Sequence, residues 1–169
     1  MAAKRTRGLV KRAAGGRPNG GRPVNKFSVS HLAESEFRGE GLRPYFVYRD
    51  LGIKAATGGR VGAHVIRAAH PCNGGTGRHR HRLAVQLVYV LRGWVRFWYQ
   101  GEGEIELVAG SCVHQPPGIL HELIDCSTDC EVLEITLPAE FATIEAPQRP
   151  ERGTRAKATR RGRPRAEAA

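Results

Sequence analysis

No apolar run in this chain approaches the length of about 18–20 residues that a membrane-spanning helix needs, and no apolar core follows its basic N-terminus as one does in a signal peptide. The sequence therefore predicts a soluble, cytoplasmic protein. Aromatic residues make up only 7%, while Gly numbers 21 and Pro 10, a composition of turns and loops that excludes a helical bundle. Cysteine is scarce as well. Cys72, Cys112, Cys126 and Cys130 show no C-x-x-C spacing, and a chain with 40% apolar residues does not depend on disulfides for its core, so reduced thiols are expected. A turn could bring Cys126 and Cys130 together, but neither a disulfide nor a zinc pair is expected of them. At 169 residues there is room for one domain, which excludes a multidomain enzyme.

Acidic residues are missing where basic ones abound. Residues 1–26 carry eight Lys or Arg and no acid, residues 149–169 carry eight against Glu151 and Glu167, and the stretch between holds the other 11 basic and 14 acidic residues. The formal net charge of +11 thus belongs entirely to the two ends. Those ends consist mostly of Ala, Gly, Arg, Lys and Pro and have almost nothing to bury. The reading is a disordered basic arm over 1–26, a lead-in segment over 27–42, a folded barrel over 43–147 and a disordered basic tail over 148–169.

Between the ends, short apolar runs alternate with Gly and Pro. They predict at least seven strands, at 44–48, 62–69, 86–91, 95–99, 104–108, 121–124 and 132–137, a spacing that indicates an all-β sandwich or barrel. In Val95-Arg96-Phe97-Trp98-Tyr99 one face is Val95, Phe97 and Tyr99, as in a half-wet strand. The 86–91 run is apolar on both faces after Gln86. Val88 and Val90 on one side, with Leu87, Tyr89 and Leu91 on the other, all need cover, which implies a second sheet on one side and a second copy of the chain, a homodimer, on the other.

Histidine placement carries the functional signal. His79 and His81 lie two apart, so in an extended stretch both imidazoles point to one face. Gln86 follows shortly, and His121 comes after a Pro116-Pro117-Gly118 turn. A basic surface loop from Arg78 to Arg82 would account for the first pair but not for His121.

These residues resemble the two motifs of the cupins, small β-barrels that assemble a metal site. His79, His81, Gln86 and Gly93 match the second half of the first motif. Gly110, Pro116-Pro117-Gly118, His121 and Asp125 keep every internal spacing of the second. The resemblance covers residues 73–125 by motif and about 43–138 by strand pattern. It implies an all-β, single cupin barrel, a jelly-roll-like double-stranded β-helix, between the basic ends. Three departures stand out. The opening Gly of the first motif falls at Asn73, with Gly74 one residue late; Asp125 replaces the closing Asn; and Gln86 replaces the usual Glu ligand. A Gln carbonyl offers a neutral oxygen and takes up no proton.

What the resemblance implies is a divalent metal on His79, His81 and His121, with Gln86 as fourth ligand or as a donor behind them. Without a carboxylate the set holds hard ions such as Mn²⁺ weakly and suits Fe²⁺ best, with Ni²⁺, Cu²⁺ or Zn²⁺ as alternatives. If Gln86 stays off the metal, the three-His face resembles that of thiol dioxygenases within the family. The expected function is a metal-binding cupin acting on a small molecule, with dioxygenase chemistry leading and isomerase chemistry open. His64 and His114 are expected to be packed or surface residues. Tyr99, Trp98 and Arg67 are candidates for lining a pocket, the two aromatics mainly as structure, and Glu102, Glu104 and Glu106 form a solvated ladder.

The ends suggest a rival function. Arg160-Arg161-Gly162-Arg163-Pro164-Arg165 resembles the Gly-Arg-Pro core of an AT-hook, with weaker repeats at Gly16-Arg17-Pro18 and Gly21-Arg22-Pro23. The alternative is a non-catalytic, ligand-sensing or DNA-associated barrel whose ends hold nucleic acid; solubilising tails explain the same residues.

Overall fold

The computed structural model describes residues 25–39, 43–72 and 75–147. The basic arm (apart from its last two residues), the basic tail and the Asn73-Gly74 departure lie outside the described residues, and so does the AT-hook resemblance.

Among the described residues, ten strands form two antiparallel five-stranded sheets. They are β1 (Phe46–Asp50), β2 (Gly62–Ala68), β3 (His79–Arg82), β4 (Val85–Arg92), β5 (Trp94–Tyr99), β6 (Gly103–Val108), β7 (Cys112–Gln115), β8 (His121–Cys126), β9 (Glu131–Leu137) and β10 (Ala142–Glu145). Helix among the described residues amounts to a 3-10 turn at Leu32–Glu34 and the four-residue α1 (Ile53–Ala56). One sheet runs β1-β2-β9-β4-β7, the other β10-β3-β8-β5-β6, and one core cluster joins them: Val88, Val90 and Val132 from the first meet Val95, Phe97 and Leu123 from the second. The fold is all-β, as the spacing of apolar runs indicates.

The seven expected strands are all present, displaced by a residue or two at their ends. Three more form where the sequence gives little sign of them. In β3 the residues are His-Arg-His-Arg and in β7 Cys-Val-His-Gln, neither with an apolar alternation, and in β10 Ala-Thr-Ile-Glu, an alternation only four residues long. Their neighbours hold them extended: β3 lies between β10 and β8, and β7 is zipped to β4 from Gln86↔Gln115 to Tyr89↔Cys112.

Inner and outer faces of the first sheet reverse the usual polarity. Along β4 the inward residues are Gln86, Val88 and Val90, whereas Tyr89 and Leu91 stand outside at 39% and 44% exposure. Along β9, Val132, Glu134 and Thr136 face in, and Leu133, Ile135 and Leu137 face out. A sheet that turns its larger apolar residues outward and polar ones inward has a lined cavity inside and a sticky back. Part of that back is covered. Residues 25–39 fold along β1: Arg38 bridges Tyr48, the Arg49 guanidinium donates to Ser35 Oγ at 2.6 Å and to the Ser30 carbonyl at 3.1 Å, and the Arg67 guanidinium lies 3.8 Å over Phe37.

The expectation of reduced thiols is corrected. Cys72 and Cys126 form a disulfide, with a Cα–Cα distance of 5.9 Å across 54 residues. A bulge makes this possible. The β5–β8 register slips between Arg96 and Phe97, so that His121 and Leu123 face in beside Tyr99 and Phe97, and Cys126, of opposite parity, is buried as well. Such a pairing depends on tertiary register and not on cysteine spacing. Cys112 is an exposed free thiol and Cys130 a buried one, with desolvation, helped by Asp129 and Glu131, pushing the Cys130 thiol up to about 11.

Candidate metal centre

His79 and His81 alternate along β3 with Arg80 and Arg82, so pairing on both sides turns the imidazoles to the interior and the guanidiniums to the surface. His79 sits directly opposite His121, the first residue of β8, in the ladder. The three rings converge at centroid distances of 4.8 Å (His79–His81), 4.5 Å (His79–His121) and 5.0 Å (His81–His121). Their ligand atoms all lie within 4.8 Å of one another, and among the described residues no carboxylate or thiol joins that group.

Each ring is oriented from behind. His79 Nδ1 lies 2.8 Å from the Gly77 carbonyl, His121 Nδ1 3.1 Å from the Ile119 carbonyl, and His81 Nδ1 3.0 Å from Thr143 Oγ1. A carbonyl only accepts, so His79 and His121 carry their proton on Nδ1, which leaves each Nε2 lone pair free. Burial, then the His121 and His79 imidazoles, lowers the His81 pKa to about 3; burial, opposed by the Ile119 carbonyl and aided by His79, lowers that of His121 to about 4. Both are neutral near pH 7. Three converging imidazoles, two of them with the tautomer fixed by a backbone carbonyl, are a donor set that suits a divalent transition metal, so the residues fit such an ion.

A cavity of about 430 Å³ opens beside the histidines. Its walls are apolar, with Phe46, Ile66, Val88, Val132 and Phe141 prominent, and Phe141 lies edge-on to His81 at 4.8 Å. Its polar side belongs to the first sheet. Gln115, 2% exposed, donates through Nε2 to the Tyr99 hydroxyl at 2.9 Å, while its Oε1 and Thr136 Oγ1 are buried without a protein partner. Burial, opposed by that bond to Gln115, pushes the Tyr99 hydroxyl up to about 12.

Gln86 lines this cavity, 3% exposed. Its Nε2 donates to Glu134 Oε1 at 2.8 Å. Burial raises the Glu134 pKa, while the bond from Gln86 and the nearby His64 and His79 oppose the rise. Sequence reasoning missed Glu134. The only signal would have been a carboxylate at an alternate position within the apolar β9 run.

The remaining candidates divide. His64 lines the cavity across the ladder from Glu134, unlike the packed or surface role expected for it, and His114 is exposed on the outer side of β7. Tyr99 faces in. Trp98 faces out beneath the Arg78 guanidinium at 3.8 Å, and Arg67 is turned to Glu131 at 2.8 Å, so neither lines the cavity. Glu102, Glu104 and Glu106 are exposed.

Residues 70–136 match the family model of the cupin domain. No curated protein matches the chain at a significant level. Among solved structures, the chain is similar to the polyketide cyclase RemF from Streptomyces resistomycificus, with 21% identity and a TM-score of 0.58 over 71% of this chain and 85% of that one. It is similar to KdgF from Halomonas sp., at 18% identity and a TM-score of 0.55 over 67% and 96% of the two chains. An RmlC-like cupin from Shewanella frigidimarina gives 21% identity and a TM-score of 0.55 over 68% and 94%. At these identities the likeness is one of fold.

Proposed function

Because residues 70–136 of this chain are a cupin domain on a cupin fold, we propose that the protein binds a divalent transition metal and acts on a small molecule. The ligands in this reading are His79, His81 and His121, with Gln86 as the fourth donor. One observation carries it: three imidazoles, each held from behind through Nδ1, bring their ligand atoms within 4.8 Å of one another beside a cavity of about 430 Å³. That size, with mostly apolar walls and a few polar groups, suits a small and largely apolar ligand. Gln115 Oε1 and Thr136 Oγ1 stand ready to accept from, or donate to, its polar groups.

Bound there, the metal would supply a Lewis acid with positions open to the cavity. The imidazoles fix its place, and the apolar walls hold water away from the ligand. An imidazole-rich set without a carboxylate in the cluster favours Fe²⁺ over Mn²⁺, and the reaction class that follows is dioxygenase-type oxidation. We also assign a homodimer to the outer face of β4, where Tyr89 and Leu91 are exposed.

Elemental analysis of untagged protein purified without added metal tests the reading. About one divalent ion per chain is expected, with iron predominant, and His121→Ala should lose it while the protein stays folded. Full metal content in that variant would refute the ligand set.

A further inference from the structure

The carboxylate that a metal site with Gln86 lacks stands one hydrogen bond further back. Gln86 and Glu134 belong to neighbouring strands: Gln86 is paired with Thr136 and Val88 with Glu134, so the two side chains share the inner face and meet diagonally at 2.8 Å. Glu134 Oε1 accepts from the amide nitrogen, and that bond fixes which end of the amide faces the carboxyl group. With Nε2 committed to Glu134, the planar amide turns Oε1 to the opposite side. Oε1 is the one amide atom that can donate a lone pair to a cation; an Nε2 turned inward would present hydrogens to it.

Glu134 is not itself part of the histidine cluster. It lies inside the barrel between β2 and β4, and it accepts a hydrogen bond from Gln86. A half-buried carboxylate turned into the barrel without a cationic side chain bonded to it is costly, and nothing in the packing of β9 calls for one. A divalent ion on neutral ligands is costly for the same reason. The two charges would balance through the polarised amide.

We propose that Glu134 is a positioning residue, holding Gln86 with its oxygen toward the three imidazoles and supplying through it the negative charge that a glutamate at position 86 would bring. This rests on the metal-binding reading above and adds to it which way Gln86 points, why, and where the compensating charge resides. The arrangement moves the charge from the ion's own contacts to one bond behind them. It thereby weakens the preference for hard ions without leaving the ion's charge unopposed.

The test measures dissociation constants for Zn²⁺ and Mn²⁺ by chelator competition in the wild type, Glu134→Gln, Gln86→Glu and the exchanged pair Gln86→Glu/Glu134→Gln. Melting of the metal-free proteins is followed in parallel. Glu134→Gln should weaken binding tenfold or more, with the larger loss for Mn²⁺. The exchanged pair, which keeps an amide–carboxylate bond but places the charge at position 86, should bind at least as tightly as the wild type and favour Mn²⁺. A purely structural role for Glu134 would not produce that recovery. If Glu134→Gln does not fold, the exchanged pair decides alone: binding weaker than wild type overturns the proposal. Unchanged affinity in a folded Glu134→Gln overturns it while leaving the three-histidine site standing. A wild type that binds neither ion overturns both.

Discussion

Acidifying the metal-free protein should destabilise it through His121 before the carboxylates titrate. The His121 imidazole is 3% exposed and titrates near 4 in the fold, against 6.5 for an ordinary histidine. A depressed histidine pKa means that the unfolded chain takes up a proton the folded chain refuses. Stability is therefore complete above about pH 6.5 and is lost as the pH falls toward about 4, below which both states are protonated and the loss stops. At about pH 5 the difference is some 1.5 pH units of uptake, or about 2 kcal/mol, rising to about 3 kcal/mol at the end of the window. His81 shifts in the same direction. Glu134 acts in the opposite direction, since a raised carboxyl pKa stabilises the fold as the pH falls through it. The clean measurement is thus a difference. Urea unfolding of chelator-treated wild type and of His121→Asn, at about pH 7.5 and about pH 5, should show the variant losing about 2 kcal/mol less between the two. Equal losses in both proteins would refute the assignment of this pH dependence to His121.

Four further outcomes follow from the fold. In the oxidised native protein Ellman's reagent should find one fast thiol, Cys112, because Cys130 is buried and Cys72 and Cys126 are joined; four thiols, fast and slow together, would show the disulfide open. Cys72→Ser should cost about 4 kcal/mol by the loop-entropy relation for a separation of 54 residues, checked by denaturation under oxidising conditions, and no loss would refute the cross-link. Gly93→Ala, at the β4–β5 turn, forces a side chain into φ +66° against Ser127 Oγ and 2.7 Å from Asp129 Oδ1, so thermal melting should show a loss of about 2 kcal/mol or more. Light scattering at micromolar concentration should give a dimer, and Tyr89→Glu with Leu91→Glu should return it to 18.5 kDa; a wild-type monomer would refute the assignment of the β4 face.

The histidines were legible because two constraints coincide in them. His79 and His81 have the period of a strand, and His121 sits at a fixed offset from a Pro-Pro-Gly turn, so chain-local pattern was enough. Strand β3 itself was not legible, since His-Arg-His-Arg has no apolar alternation and becomes a strand only between β8 and β10. Glu134 was hidden for the converse reason. In Glu131–Leu137 the bulkier apolar set, Leu133, Ile135 and Leu137, faces outward, so reading hydrophobic residues as inward turns the strand over and puts Glu134 in solvent. The disulfide depends on a bulge that reverses the parity of Cys126 relative to His121, and no count along the sequence reports a bulge.

A disulfide that persists through unfolding keeps the histidines on a short leash. Cys72 precedes the His79/His81 pair by a few residues and Cys126 follows His121 as closely, so the bond between them holds all three imidazoles near one another after every strand has melted. The effective concentration of one histidine at the others then stays far above that in an open chain. An ion that binds the native protein keeps a partial hold on the oxidised unfolded chain, and by mass action it stabilises only through the difference in affinity. Metal should therefore raise the melting temperature less in the oxidised protein than in the reduced one. In an oxidising compartment the ion can be captured before the barrel closes, whereas a reduced chain must fold first and load afterwards.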